Sequence, residues 1–340
     1  MAGSRYIGLD WGTSSFRAYL FSEAGEVLDR RSTDWGIMSL PGVPLEQESS
    51  RASQFRYAFW QTVGDWLTQS DVCRRVVACG MVGSAQGWRE AAYIPLPVHI
   101  DDVTGAGVEV DAGEGVTLVI ASGLVEYAAL PNVLRGEETQ VAGMMALLAG
   151  GGQDMSGRWL LGLPGTHSKW VYVEDQRVRH FDTFMTGEVY ALLVRHSILG
   201  RTMSADEAAL TGDEAVQAFL RGVANAGSGD GVRGLLSTIF SSRTLGLTGA
   251  LGPAAQCEYL SGLLLGHEVR GLVAGLSAQW LNARIALVGR PDLCHRYCLT
   301  LKHFGLEAEV LGEDAGRWGL WARIQADQQL LKTHAGGNVE

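Results

Sequence analysis

A strand–turn–strand–turn–strand pattern occurs twice in this chain, and the repeat limits the folds open to it. Residues 5–10 (RYIGLD) read as a buried strand ending in an acid, followed by the tight turn Trp11-Gly12-Thr13-Ser14 and a second strand, Ser15–Phe21. A turn at Glu23-Ala24-Gly25-Glu26 leads to a third strand from Val27 to about Ser32. Past the linker Gly150-Gly151-Gly152-Gln153-Asp154 the pattern restarts, with strands at Trp159–Leu163, Lys169–Val173 and Arg177–Phe181. Gly-Thr stands at corresponding turns (Gly12-Thr13 and Gly165-Thr166), each with a serine two residues after the threonine, Ser15 and Ser168. The repeat predicts an α/β protein of two lobes, 1–152 and 153–340, each opening with a three-stranded β-meander. The last helix is expected to pack back on the first lobe.

The remaining pattern is coarser. Residues 47–69 read as a helix with Phe55, Phe59, Val63, Trp66 and Leu67 near one face. Strands are expected at Arg75–Met81 and Val116–Ala121, and Arg135-Gly136-Glu137-Glu138-Thr139-Gln140 opens a helix to about Leu148. The second half is mainly helical until a strand at Arg284–Val288, which ends in Gly289. A helix, a short strand at Glu307–Val310 and a last helix from about Asp314 to Gln325 follow, and 331–340 read as a frayed tail.

A length of 340 residues favours two domains over one core. The net charge of −10 argues against nucleic acid or an anionic membrane as partner. The chain has no apolar run of about 18 residues and no basic, apolar leader at Met1–Asp10, so a soluble cytoplasmic protein is expected. Five cysteines, an odd number, do not suggest a disulfide framework. Cys294-His295-Arg296-Tyr297-Cys298 lacks a second ligand pair for zinc and reads as helix.

A nucleotide phosphate asks for close approach of backbone N–H groups, hydroxyl donors and a metal to offset its charge. Gly12 permits the approach, Thr13, Ser14 and Ser15 donate, and Asp10 is placed to hold Mg²⁺. Gly165, Thr166, His167 and Lys169 offer the same groups from the second copy, so the two loops facing across a cleft would clamp a triphosphate. Each turn read alone is also an ordinary polar hairpin, and Lys169 points either at phosphate or to the outer face of its strand. The P-loop pattern GxxxxGK[ST] is absent from the chain.

IGLDWGTSSFRAYLF resembles the first phosphate motif of the sugar kinase, hsp70 and actin superfamily. LPGTHSKW resembles its second, and IALVGRPDLCHRY its adenosine motif. GMVGSAQGW, RGEETQ, LPGTHSKWV, FMTGEVYALL and HSILG together resemble the 2-dehydro-3-deoxygalactonokinase family. The resemblance implies two RNase H-like (actin-like ATPase) lobes around a cleft, with ATP and Mg²⁺. It also implies transfer to the C6 hydroxyl of 2-dehydro-3-deoxy-D-galactonate, in galactonate or galactose breakdown. Many superfamily kinases carry an acid at the start of the second motif; Leu163 and Pro164 stand there, so the proton acceptor must lie elsewhere.

Glu137 and Glu138 begin a helix, where the dipole keeps carboxylates ionised, and RGEET resembles a glutamate-bearing segment of exopolyphosphatases. The pair either caps the helix or meets substrate; Glu138 is the first choice of base, with Asp10 competing. The substrate carboxylate wants an arginine fork, from Arg17, Arg89 or Arg135. Gly83, Ser84 and Gln86 offer hydrogen bonds to hydroxyls, and Thr186-Gly187-Glu188 either contacts substrate through Glu188 or caps a helix. Trp11 and Trp88 stack on sugar carbons or sit in the core. Gly289 is the adenine candidate, with Gly312 and Ala315 weaker. A kinase for another sugar acid such as 2-dehydro-3-deoxygluconate, a phosphohydrolase and a non-catalytic ATP-binding regulator are the rival readings. Association into a homo-oligomer is compatible with all of them.

Overall fold

The computed structural model describes residues 3–44, 50–204 and 212–336. Strands β1 (Tyr6–Trp11), β2 (Phe16–Phe21) and β3 (Val27–Thr33) are followed by helix α1 (Arg51–Leu67) and β4 (Arg75–Cys79). The expected helix 47–69 thus starts at an N-cap, Ser50, whose side chain accepts from the Ser53 N–H; residues 47–49 lie outside the described residues. Short strands β5 (Tyr93–Pro95) and β6 (Val98–His99), helix α2 (Ile100–Gly105), β7 (Gly107–Gly113), β8 (Val116–Ala121), β9 (Gly123–Glu126) and β10 (Asn132–Leu134) lead to α3 (Glu137–Gly150).

The chain continues through β11 (Arg158–Leu163), β12 (Ser168–Glu174), β13 (Arg177–Phe184) and α4 (Thr186–His196). Helices α5 (Asp213–Gly227), α6 (Leu235–Thr238), α7 (Ser241–Leu247) and α8 (Pro253–Gly275) come next. β14 (Arg284–Leu287), α9 (Pro291–His303), β15 (Glu309–Val310) and α10 (Ala315–Gly336) complete the order.

The first large sheet runs β3-β2-β1-β4-β8-β7, with β1 antiparallel to β2 and parallel to β4. The second contains β15-β14-β11-β12-β13, with β11 parallel to β14 and β14 parallel to β15. Read outward from the meander, both sheets have the order 3-2-1-4-5, so the repeat is topological and the fold is two RNase H-like α/β units. A small sheet, β10-β9-β5, was not legible, because strands of three or four residues carry too little alternation to register.

The contacts divide the chain into two compact units. One comprises Met1–Ser156, Val173–His180 and Asp314–Glu340, the other Gly157–Tyr172 and Phe181–Glu313. β6 pairs with Arg177 and Val178, which group with the first unit. In that unit, strand alternation feeds two cores. Ile7, Leu9, Val76 and Ala78 pack with Phe55, Phe59 and Val63 of α1. Val77 and Cys79 face the other way, onto Leu320, Trp321 and Ile324 of α10. In the second unit Leu160, Trp170, Ile285 and Leu287 of the sheet pack on Phe219, Leu265, Val269 and Tyr297.

Helix α10 runs to Gly336, well past the expected end near Gln325 and through much of the expected tail. Its continuation is rich in good helix formers, Gln325 to Lys332, and Asp327 anchors it by a bidentate pair with Arg75 at 2.7 and 2.8 Å. Among the described residues no helix is long and apolar enough to cross a membrane.

Candidate active site

In the first unit, three chain reversals meet beside the end of β1. Gly12 N–H donates to the Ser15 carbonyl, closing the turn between β1 and β2. The Gly12 and Thr13 carbonyls accept from Ile37 and Met38, so the carbonyl side of the turn is occupied. Thr13 and Ser14 are exposed; their N–H groups, and the hydroxyls of Thr13, Ser14 and Ser15, have no partner among the described residues. The turn therefore presents donors outward, as an anion requires. Gly36 underlies it: a Cβ there would sit 2.3 Å from the Thr13 carbonyl oxygen and 2.4 Å from the Ser14 nitrogen. Arg51, the first residue of α1, reaches the Ile37 carbonyl at 2.8 Å and the Gln86 carbonyl at 2.7 and 2.9 Å. It thereby ties the Gly36–Met38 support to the Gly83–Gly87 segment.

Asp10 lies beside Cys79 in the parallel register of β1 and β4, and its carboxylate is 3.3 Å from Arg17 Nη1. Its side chain is 36% exposed. Burial pushes the Asp10 carboxyl up, and the Arg17 guanidinium opposes it. Cys79 is pushed up as well, by burial and then by the Asp10 and Glu138 carboxylates. Among the described residues no group of three or more His, Cys, Asp or Glu could hold a metal. A magnesium ion that arrives with nucleotide phosphates needs only one or two protein carboxylates, and Asp10 fits that requirement.

Gly80 ends β4 at φ 94°, where an added Cβ would meet the Trp11 carbonyl oxygen at 2.8 Å. Gly136, at φ 104°, precedes α3. Arg135 N–H donates to Glu137 Oε2 at 3.0 Å, upstream of the N-cap Gly136, which has no side-chain cap. Glu138 is 1% exposed: Oε2 accepts from Gly136 N–H at 2.5 Å, Oε1 from Thr139 Oγ1 at 2.9 Å, and Arg323 Nη2 lies 3.5 Å away. Burial raises its pKa, with Arg323 pulling the other way. The helix start was expected to keep this group ionised, but desolvation is the larger effect for so deeply placed a carboxyl.

The three arginines differ. Arg17 is engaged by Asp10. Arg135 donates to the Ala91 carbonyl at 2.7 Å and lies 4.2 Å from the Tyr93 ring centroid; its Nη1, buried near Gly83, has no partner among the described residues. Arg89 is exposed. Ser84 Oγ is taken by the Met81 carbonyl, and Gln86 is exposed. Trp11 is fully buried, stacked on Phe16 with centroids 3.9 Å apart, and Trp88 packs on Phe55 and Phe59, so both belong to the core.

In the second unit, the Gly165–His167 turn joins β11 to β12. The N–H groups of Gly165, Thr166 and His167 and the Thr166 hydroxyl have no partner among the described residues. The Thr166 carbonyl accepts from Glu188 N–H at 3.0 Å, and His167 pairs with Glu188 through Nε2. Gly187 makes this possible, since a Cβ there would sit 2.6 Å from the Gly165 carbonyl oxygen and 2.8 Å from Thr166 Cα. Gly187→Ala is expected to cost about 1–3 kcal/mol by overpacking, which thermal melts check.

Lys169 lies between Ser168 and Trp170 and is 5% exposed, so it does not lie on a solvent-facing strand surface. Gly289 N–H donates to the Gly312 carbonyl at 3.3 Å, and a Cβ on Gly289 would sit 3.4 Å from the Pro164 carbonyl oxygen. The two adenine candidates are thereby brought beside the second turn. Ala315 begins α10 in the first unit and is packed beneath Gly143 of α3.

A family model described as 2-keto-3-deoxy-galactonokinase matches residues 10–323. The chain belongs to this family. A relative in Escherichia coli (strain K12), 2-dehydro-3-deoxygalactonokinase, is 31% identical over 317 residues, covering 92% of this chain and 94% of that one. A second, provisionally given the same description in Rhizobium meliloti (strain 1021), is 31% identical over 325 residues, 94% of this chain and 97% of its own. A crystal structure provisionally described as a 2-dehydro-3-deoxygalactonokinase protein from Sinorhizobium meliloti superposes with a TM-score of 0.77 at 30% identity. It covers 94% of this chain and 98% of that one.

Four residues of this galactonokinase-family chain escaped the sequence reading: Gly36, Arg51, Arg323, and Glu268 of α8, which accepts from Ser168 and Trp170 of β12. Gly36 carries a local signal, a glycine shortly after the first meander. The other three act through partners far away in sequence and leave none.

Proposed function

We propose that the chain transfers the γ-phosphoryl group of ATP to the C6 hydroxyl of 2-dehydro-3-deoxy-D-galactonate. Family membership carries the reading, and two donor-presenting turns at corresponding places in the two units support it. The first unit supplies Gly12–Ser15 and Asp10; the second supplies Gly165–His167, with Gly289 and Gly312 beside it for the adenosine. Lys169 belongs with the second turn, through β12. Asp10 is the residue that would hold Mg²⁺, which when bound neutralises charge on the transferred phosphoryl group.

Transfer to an alcohol through a loose transition state asks mainly for positioning. Both oxygens of Glu138 are already engaged and its side chain is closed to solvent, so the proposal makes it a positioning residue for the Gly136 reversal. The partly open Asp10 carboxylate is then the competing base, which would align the hydroxyl and receive its proton only through an oxygen that the metal leaves free. Glu138→Gln should lower Tm, because Arg323 loses its counter-charge, while kcat of the folded enzyme stays within about 10-fold. A 10²-fold loss in folded protein would return the base to Glu138.

Arg17 is engaged by Asp10, while Arg135 keeps one buried nitrogen, Nη1, without a partner among the described residues, so Arg135 and the exposed Arg89 are both open to the substrate carboxylate. Arg89→Ala should raise KM for the sugar acid about 10-fold or more and leave KM for ATP unchanged. An unchanged KM for the acid would remove Arg89 from this role. Coupled ADP release, with Mg²⁺-ATP, a panel of sugar acids and a no-acceptor control, tests the whole reading. Turnover with 2-dehydro-3-deoxygalactonate alone is expected. Preference for 2-dehydro-3-deoxygluconate would change the acceptor, and ADP release without acceptor would make the protein a phosphohydrolase.

A further inference from the structure

Glu268 lies in the middle of α8, 4% exposed, among Leu265, Val269 and Leu272, and makes no ion pair among the described residues. A carboxylate in such surroundings is costly unless every lone pair is used. Oε1 accepts from Ser168 Oγ at 3.0 Å and Trp170 Nε1 at 2.9 Å, Oε2 accepts from Thr186 Oγ1, and Tyr297 OH lies 2.9 Å from both. Burial pushes the Glu268 carboxyl up, against the pull of these donors.

The origin of the donors is informative. Ser168 and Trp170 sit two apart on one face of β12, directly after the Gly165–His167 turn. Thr186 opens α4, whose N-cap Met185 has no side-chain cap; the Thr186 hydroxyl goes to Glu268 instead of to the helix end. Tyr297 belongs to α9, which follows Gly289. One buried acid thus joins the turn, the α4 start that packs on it through Gly187, and the helix after the adenine candidate. An apolar side chain of the same size would fill the space without the desolvation cost.

We propose that Glu268 is a positioning residue for the nucleotide, locking the Gly165–His167 turn to α4 and α9 so that its N–H groups keep one direction. The inference rests on the nucleotide-binding part of the reading above and is independent of which acid is the acceptor. The test is Mg²⁺-ATP affinity by calorimetry, without acceptor, for the full chain and for Glu268→Gln, Glu268→Met and Thr186→Val, with Tm recorded for each. In Glu268→Gln the amide oxygen still accepts from Ser168 and Trp170, and its NH₂ donates to the Thr186 and Tyr297 hydroxyls. Its affinity should stay within about 3-fold of the parent. Thr186→Val, which cuts only the link to α4, and Glu268→Met should bind about 10-fold more weakly or worse, and Thr186→Val should also lower Tm, because it leaves Oε2 one donor short.

Folded Thr186→Val and Glu268→Met proteins with parental affinity would make Glu268 a core residue only and overturn the inference. If Glu268→Met does not fold, Thr186→Val decides alone. A parent chain that binds no nucleotide overturns it as well. A parent that binds ATP yet does not phosphorylate the sugar acid refutes the acceptor, and the affinities of the variants still decide the role of Glu268.

Discussion

Asp10→Asn is expected to lower kcat by about 10²–10³ and to raise the Mg²⁺ concentration needed for half-maximal activity. The carboxylate sits at the end of β1, beside a turn whose free donors point outward. Its replacement removes a charge where the reacting phosphoryl group and its metal are placed by the proposal. Stability should change little: the Arg17 pair is 3.3 Å long between two partly exposed side chains, 52% and 36%, and such pairs contribute little. Steady-state rates over a Mg²⁺ series, with thermal melts of the same samples, separate the two effects. Parental kcat and metal dependence in Asp10→Asn would remove both roles assigned to it.

Arg323→Met should destabilise the protein by about 3–5 kcal/mol at neutral pH, because it leaves the Glu138 carboxylate buried without its counter-charge. Arg323 is 2% exposed on α10; its Nε donates to Thr139 Oγ1 at 2.8 Å, and Nη1 lies 3.3 Å from the Ala106 carbonyl. The pH dependence has a definite sign. Burial already raises the pKa of Glu138, and loss of Arg323, which pulls it down, raises it further. A group with a raised folded pKa contributes stability that is fully present below its unfolded pKa and is lost as pH rises through the folded value. The Tm gap between parent and variant should therefore be wide at about pH 8 and narrow toward about pH 5. A gap that does not change with pH would show that Glu138 is not the group left uncompensated.

Gly36 and Glu268 mark how far the candidate site could be read from sequence. The Gly12–Ser15 and Gly165–His167 turns were visible because turn residues between alternating strands are a short-range signal. The role of Gly36 needs to be seen against the turn it supports, where only a glycine leaves room for the Thr13 and Ser14 backbone. Thr186-Gly187-Glu188 read equally well as a helix cap or as a substrate contact through Glu188; that the Thr186 hydroxyl donates to Glu268 is visible only in the fold.

The sequence by itself determined the two-fold repeat, the two turns and the family. Strand alternation and turn chemistry act over a few residues, and the family motifs are contiguous. Tertiary structure decided which charges are paired and which are open. Arg323 meets Thr139 across 184 residues, Glu268 meets Ser168 across 100, and Asp327 meets Arg75 across 252. Whether a carboxylate such as Glu138 stays ionised depends on the desolvation and counter-charge brought by those distant partners, which no local pattern encodes.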